Sequence, residues 1–501
     1  MPVVAGVDSS TQSCTVVLHH DSGALLASAS APHPGPTGPG SEQHPRAWWA
    51  ALSRALGEAC MSARVRAADI AAISIAAQHH GLVPLGPGGD VLRPAKLWND
   101  TTSAPQADRL VAQLGTEAWL RRTGSVPSAA FTISKLAWLS ENEPATFDAL
   151  SMSLLPHDWL TMQLTGAAVT DRADASGTGY FDPAADQWCP ELLALVDPNR
   201  DWLAQLPRVL GPEDNAGHVR AAPGLELGLS PEALVGPGTG DQSAAALGLN
   251  LQEGDVLVSV GTSGVVTGVS PLPVMDPLGR VNGTASASGT YQPVVVTLNA
   301  AKVTDMFARL LGVDHGEMSR LALAADRDGA RRPSLVPYLD GERTPNRPTA
   351  RGLLTGFSSD LTRESLALCA FEGVTLGLLQ GRDVLIEAGL LVGGRFLLTG
   401  GASASAAYRR SFAALSGLAV HVPDIDGGLV SAKGAAIQAA AVLSGVTVTE
   451  VAEAWRPRLD VASEPLPGDA AYASQRWEQY RRSVAVEQPS EAQPLSIGDR
   501  H

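Results

Sequence analysis

Five hundred and one residues exceed what one hydrophobic core accommodates, and a composition 45% hydrophobic and 17% charged is that of a globular chain with two large domains. The formal net charge of −15 excludes a nucleic-acid or anionic-membrane partner, each of which needs a basic face. Four cysteines without paired spacing offer no disulfide or zinc framework and suit a reducing compartment; no apolar run reaches membrane-spanning length, so a soluble cytoplasmic protein is expected.

The chain opens on a short apolar strand (3–7), turns through Asp8-Ser9-Ser10-Thr11-Gln12-Ser13, and returns over 15–18. Residues 32–45 read as a loop rich in Pro, Gly and His, and 48–60 as a helix with Trp48, Leu52, Ala55, Leu56 and Ala59 on one face. A buried strand over 70–76 ends in Gln78-His79-His80-Gly81, and strand ends are where open α/β folds place ligands. By themselves the two histidines read as hydrogen-bonded loop residues; adjacent in sequence, with no carboxylate at helical spacing, they do not compose a metal site. Leu97-Trp98-Asn99-Asp100 sets an aromatic face beside an amide and a carboxylate, which suits sugar hydroxyls or, equally, a core Trp before an acidic turn. Helices are predicted over 107–121 and 133–141. Asp171 and Asp174, in a Ser/Thr/Gly cluster, either face the cleft or, as such a context favours, are turn formers that cap and brace a loop, and 183–235 is loop-rich.

The chemically densest stretch is 236–264. Gly238-Thr239-Gly240-Asp241 is a glycine-flexed loop ending in a carboxylate ahead of a helix-forming run, so Asp241 is either a helix N-cap or a base. A strand over 256–260 then enters Gly261-Thr262-Ser263-Gly264 and returns through Val265-Val266. Glycine lets backbone N–H groups converge and Thr and Ser add hydroxyls, a turn suited to phosphate as well as to an ordinary hairpin. There is no Gly-x-x-x-x-Gly-Lys-Ser/Thr loop, which excludes a P-loop enzyme. The strand–turn–strand construction of the N-terminus thus recurs half a chain later, which suggests two related halves facing one nucleotide, and phosphoryl transfer between them. Farther on, a strand over 294–298 and helices over 302–311, 317–325 and 362–387 are predicted. Pro337-Tyr338-Leu339-Asp340-Gly341-Glu342-Arg343-Thr344-Pro345 is a charged loop whose Arg343 either faces a phosphate or pairs with Glu342 or Asp340. A strand over 396–399 opens through Gly400-Gly401-Ala402-Ser403-Ala404-Ser405 into a helix whose N-terminus admits a nucleotide. Residues 470–486 form a last helix, and the chain is frayed from 487.

These motifs resemble those of the FGGY carbohydrate kinases, and among them the xylulokinases, over nearly the whole chain to about residue 445. Gln78, His80 and Gly81, Trp98-Asn99-Asp100, Phe131-Thr132 with Lys135-Leu136, the 337–345 loop, and Gly400-Gly401 with Ser405 carry the resemblance. It implies an α/β fold of two ribonuclease-H-like (actin-like ATPase) domains flanking a catalytic cleft, with limits at 1–247 and 248–450 and a helix and tail at 451–501. The small-residue helix at 434–440 then closes the second domain. The implied activity is ATP-dependent phosphorylation of a ketose, most like D-xylulose, to the 5-phosphate. The resemblance makes Asp241 the general base and Asp8 the residue orienting Mg²⁺. It puts Ser10, Thr11 and Gln12 on the phosphates from one side, Gly261, Thr262, Ser263 and Gly264 on them from the other, and Gly400, Gly401 and Ser405 at the adenosine. Gln78, His79, His80, Trp98, Asn99 and Asp100, with Asp241 and Gln242, would bind the sugar. The chain departs from the family at Ala77, at His79 (usually Met or Gln), at Thr15 (usually basic), at Gln242 (usually Asn) and at Ala402 (usually Gly). Sugar and ATP are the expected partners, with a homodimer as a compatible assembly. Rival readings are a kinase for another ketose, a polyol or a sugar acid, a sugar sensor without turnover, and an actin- or chaperone-like ATPase. Retention of both Asp8 and Asp241 favours an enzyme, and the sugar-loop matches disfavour the actin-like reading.

Overall fold

The structure, a computed structural model, describes residues 2–35, 40–327 and 332–487. The expected frayed end lies, from 488 onward, outside the described residues, as does the middle of the expected 32–45 loop. Pro32 itself ends a strand, and Glu42–Gln43 forms a two-residue ladder with Ala95–Lys96.

Two sheets organise the chain, and they share one strand order. In the first, Val3–Ser9 pairs antiparallel with Ser13–His20, which pairs antiparallel with Leu25–Pro32. On its other edge Val3–Ser9 runs parallel to Ile70–Ala77, which in turn takes Leu234–Val235 and Thr239–Gly240 in parallel. In the second sheet Gly254–Val260 pairs antiparallel with Gly264–Thr267, which pairs antiparallel with Tyr291–Thr297. On its other edge Gly254–Val260 runs parallel to Val392–Thr399, followed by Val420–Pro423. A hairpin with a third antiparallel strand on one side, and parallel crossover strands on the other, therefore appears twice. The register places Ser9 opposite Ala77, Gly240 opposite Ala77, and Ser259 opposite Thr399. The hairpin turns thus lie beside the carboxyl ends of the parallel strands, where such folds collect ligands.

The first sheet is covered on both faces, which is why its central strands read as continuous β-branched and alanine runs. One cover is the helix Pro45–Ala63, begun by Pro45 at its first position and by His44, whose ring accepts from Arg46 N. Its predicted stripe of Trp48, Leu52, Ala55, Leu56 and Ala59 is buried. The other cover is Val430–Ser444. The sequence reading has this small-residue helix close the second domain; it packs instead on the first sheet and on the helix that begins at Asp241. The reason is backbone proximity. A Cβ on Gly6 would lie 1.9 Å from Ala432 O, and one on Gly434 would lie 1.9 Å from Ala244 O. Helix, strand and helix approach so closely that only glycine fits at those points.

The second core forms around Arg363–Glu387, whose Thr362 and Ser365 cap one another reciprocally and whose middle is buried on every side. Leu459–Ser463 adds an antiparallel edge strand to Val420–Pro423, and Asp469–Glu487 sets Tyr480 into that core. The predicted 107–121 helix is two, Ala104–Leu114 and Thr116–Thr123, because Gly115 between them takes a φ of 85°. Among the described residues no single helix is long and apolar enough to cross a membrane. The four cysteines are buried and free.

Candidate active site

Asp241 is not a helix cap. Gly240 occupies the cap position of the helix Asp241–Gly248, and the Asp241 side chain lies one residue inside it. The loop carrying it is fastened from three directions: Gln438 Nε2 donates to Gly238 O (3.2 Å), Thr239 Oγ1 to Asp171 Oδ2 (2.7 Å), and Ser431 Oγ to Asp241 O (2.9 Å). Burial raises the pKa of Asp241 above the usual carboxylate range, with Asp174 adding to the rise and His79 opposing it. A carboxylate so raised, and 31% exposed at its side chain, is a stronger proton acceptor than an ordinary surface Asp.

Behind Asp241 lies a chain of alternating charges. His79 Nε2 is 3.6 Å from Asp241 Oδ1, and His79 Nδ1 is 2.8 Å from Asp174 Oδ1. On the far side, His157 Nε2 lies 3.3 Å from Asp174 Oδ2, 3.1 Å from Asp158 Oδ1 and 3.5 Å from Asp171 Oδ1. Burial pulls the His79 imidazole down, but Asp174, Asp241 and Asp171 together outweigh it and carry its pKa to about 9. His157, likewise opposed by burial and favoured by its three carboxylates, also rises to about 9. Asp171 caps the short helix Arg172–Ala175, as its turn-forming context predicts. Asp174 does what that context does not show: it orients His79, whose other ring nitrogen faces Asp241. Gly240 makes room for this, since a Cβ there would lie 1.8 Å from His79 Cε1.

A pH consequence follows. His79 is cationic below about 9 and helps keep Asp241 ionised. Above that pH the cavity loses a cationic donor, so turnover is expected to fall on the alkaline side near pH 9 in the wild type. That limb should disappear in His79→Gln; an unchanged limb would assign it to another group.

His80 sits in the left-handed region (φ 64°). Its Nδ1 is 2.6 Å from Gly177 O and its ring stacks on Phe131 at 5.0 Å. Burial, then the charges of His79 and Lys135, push its pKa well below the ordinary value, so it is neutral. Its carbonyl accepts from Lys135 Nζ (2.6 Å) and Thr132 Oγ1 (3.2 Å). The Phe131-Thr132-x-x-Lys135 stretch, legible in the sequence only as a helix start, is the brace of the histidine loop. Lys135 is buried, and burial brings its pKa down to about 7.

Trp98 and Asn99 are exposed, and Trp98 Nε1 donates to Thr11 Oγ1 (3.0 Å), which itself donates to Gln78 Oε1 (3.1 Å). Thr11, expected on the phosphates, has its hydroxyl engaged in joining the first turn to the Gln78 and Trp98 loops. Asp100, expected at the sugar, turns inward: it is 1% exposed and binds Lys96 Nζ (3.0 Å) and Thr102 N (2.8 Å) and Oγ1 (2.6 Å). A carboxylate held by three donors is a staple for the Trp98 loop, and the preceding aromatic gave no signal of that inward turn. Gln242 and His79 border a narrow cavity of about 50 Å³ between the halves, together with Asn282 and Gln292 of the second half and Arg343, which the sequence leaves between a phosphate and an ion pair with its neighbours.

Asp8 stands at the end of the first strand, and its Oδ1 is buried without a hydrogen-bond partner. Burial and the charge of Asp241 push its pKa well above the ordinary range. Ser10 closes its turn, with both N and Oγ donating to Ser13 O at 3.0 Å; Gln12 O accepts from His33 N (2.8 Å). Thr15, where a basic residue is usual, exchanges a hydrogen bond with Ser30 Oγ (2.7 Å).

In the second half the hairpin turn is rigid. Gly261 N donates to Ser263 O (3.0 Å), Ala301 N to Gly261 O (2.8 Å) and Ala300 N to Thr262 O (3.3 Å), while Gly264 opens the return strand. Gly261 and Thr262 share a cavity of about 570 Å³ with Gly401, Ala402, Ser405 and Tyr408. Ser405 caps the helix Ala406–Ser416, accepting from Tyr408 N, so that helix points its N-terminus at the cavity. Gly400 bends the chain there at φ 82°; a Cβ on it would lie 2.6 Å from Val260 O. A second opening, about 270 Å³, joins Asp241 and Gln242 to Ser259, Thr399 and Gly400 across the cleft. The structure therefore brings Asp241 together with the histidine loop and with the strand ends that flank the second turn, and the large cavity beyond them is of nucleoside size.

Residues 3–248 match the N-terminal domain model, and residues 256–443 the C-terminal domain model, of the FGGY family of carbohydrate kinases. The chain is similar to a xylulose kinase of Streptomyces coelicolor, 43% identical over 458 residues that cover 91% of each chain. It is also similar to a xylulose kinase of Escherichia coli, 32% identical over 82% of this chain and 84% of that one. Among solved structures it resembles a xylulose kinase from Bifidobacterium adolescentis, with a TM-score of 0.81 and 36% identity, covering 95% of this chain and 99% of that one.

Proposed function

The chain belongs to the FGGY family of carbohydrate kinases and uses ATP, and we propose that its acceptor is D-xylulose, converted to D-xylulose 5-phosphate with release of ADP. The observation that carries the reading is Asp241, fixed at a helix start between the histidine loop and the second phosphate turn, with its basicity raised by burial. Asp241 takes the proton of the C5 hydroxyl as that oxygen attacks the γ-phosphorus, and the bond from phosphorus to the bridging oxygen of ADP breaks. His79, His80, Trp98, Asn99 and Gln242 hold the sugar, with Gln78, 1% exposed and bonded to Thr11, and Asp100 bracing the loops beneath it. Ser10 and Gln12 on one turn and Gly261, Thr262, Ser263 and Gly264 on the other position the phosphates, and Gly400, Gly401 and Ser405 border the adenosine.

The buried, unpartnered Oδ1 of Asp8 fits a divalent cation shared with phosphate oxygens, because Mg²⁺ is usually held by one or two carboxylates, phosphates and water. Bound there, Mg²⁺ would neutralise charge on the phosphates. Asp8→Ala is expected to lose Mg²⁺-dependent turnover by at least about 10²-fold while calorimetry still detects sugar binding. Lost sugar binding with turnover intact would reverse the two assignments. We place the protein in the cytoplasm, where its acceptor and ATP are available and its free thiols remain reduced.

The test is a coupled ADP-release assay over ketoses, polyols and sugar acids. D-Xylulose is expected to give the highest kcat/KM, with slow ATP hydrolysis when no sugar is present. A higher value for a polyol or sugar acid would reassign the substrate, and stimulation by none would favour the sensor.

A further inference from the structure

We propose that Arg343 is a specificity residue for the acceptor, reaching the sugar cavity from the second half of the chain and donating to oxygens of the substrate away from the hydroxyl that is phosphorylated. The inference rests on the kinase reading above. Its starting point is the 337–345 loop, the strongest motif that the mechanism leaves unused. The two carboxylates beside Arg343 are both committed elsewhere. Glu342 is 2% exposed and accepts from Leu298 N (2.6 Å), Asn299 Nδ2 (2.9 Å) and the backbone N of Arg343 itself (2.7 Å). Asp340 faces Lys302 at 3.7 Å. The loop is pinned further by Asn299, which donates to Gly341 O (2.8 Å), and by the paired backbone bonds of Glu342 and Arg347. The backbone that presents Arg343 is therefore fixed, and its guanidinium is free of both neighbours.

Among the described residues the Arg343 side chain has no ion pair and no hydrogen bond. It borders the same narrow cavity as His79, His80 and Gln242. Burial alone lowers its pKa, and its charge is one of those that hold His80 neutral. A partly desolvated guanidinium with five donors and no acceptor requires oxygen lone pairs from something that enters the cavity. The nearby Asn282, Thr284 and Gln292 are neutral, and Asp241 is faced by His79. With the C5 hydroxyl at Asp241, the remaining oxygens of a pentulose fall to the rest of the cavity. Among them the C2 carbonyl oxygen is an acceptor only, matched to a donor-only fork; a polyol hydroxyl brings a proton that must find its own acceptor. Because Arg343 and His79 belong to opposite halves, the same contact links sugar binding to closure of the cleft.

The test compares wild type with Arg343→Met and Arg343→Lys, using D-xylulose and the corresponding pentitol as acceptors. Arg343→Met is expected to raise the D-xylulose KM by about 10- to 100-fold, the loss typical of a charged hydrogen bond, with the ATP KM within about twofold. The preference for ketose over pentitol should shrink, and Arg343→Lys should restore part of it. The sugar-induced rise in Tm, which needs no turnover, should fall in parallel and guards against a variant that folds poorly. The two readings fail separately. No ADP release from wild type with any ketose overturns the substrate. An unchanged D-xylulose KM and an unchanged sugar-induced Tm rise in Arg343→Met overturn the Arg343 contact, as does a rise confined to the ATP KM.

Discussion

Asp241→Asn is expected to slow ADP release by about 10²- to 10⁴-fold while D-xylulose and ATP still bind, the loss typical of removing a general base. The amide is nearly isosteric, so the fastening of the loop by Gln438, Thr239 and Ser431 remains, each of these bonds involving groups other than the Asp241 side chain. What disappears is the acceptor whose pKa burial has raised, and with it the charge pairing to His79 Nε2 3.6 Å away. The effect should therefore fall on kcat and leave the sugar KM close to wild type. Wild-type turnover in the Asn variant would mean that another group takes the proton.

The second large effect concerns stability. Asp174 is fully buried and stands between two imidazoles, 2.8 Å from His79 Nδ1 and 3.3 Å from His157 Nε2. Asp174→Ala leaves two buried cations short of a carboxylate, and breaking a buried charge pair in this way costs about 3–5 kcal/mol. The pH dependence has a definite sign. Both histidines are raised from 6.5 to about 9 in the folded protein, so their pairing contributes in full below about pH 6.5 and is lost as pH rises through about 9. The stability difference between wild type and variant, from urea unfolding, should be largest near pH 6 and shrink toward pH 9. A difference below about 1 kcal/mol at pH 6, or one that grows with pH, would contradict the assignment.

What the sequence made legible follows from the range of the physics involved. The two strand–turn–strand stretches at Asp8 and Gly261 depend on local alternation and turn residues, and both are hairpins in the structure. The Trp48 to Ala59 stripe is likewise local, and it is buried as the 3.6-residue period requires. The misplaced features are long-range. Nothing near 434–440 tells a helix of alanines which sheet it will cover; its close approach to the first sheet needs the missing Cβ of Gly6, more than four hundred residues earlier. Asp100 could not be told from a sugar ligand because its partner Lys96 lies across a turn, and Asp174 could not be told from a loop former because His79 lies on another strand end. The local sequence leaves Asp241 open between a helix cap and a base, and one residue of register, with Gly240 at the cap, removes the first of these.

The most direct test of the central claim is identification of the product. Purified protein with ATP, Mg²⁺ and D-xylulose should yield, by phosphorus and carbon NMR, a phosphomonoester on the terminal C5 carbon, formed one for one with ADP. A product phosphorylated elsewhere on the sugar, or ADP released as inorganic phosphate accumulates with no sugar phosphate, would contradict the placement of Asp241 as the base beside the C5 hydroxyl.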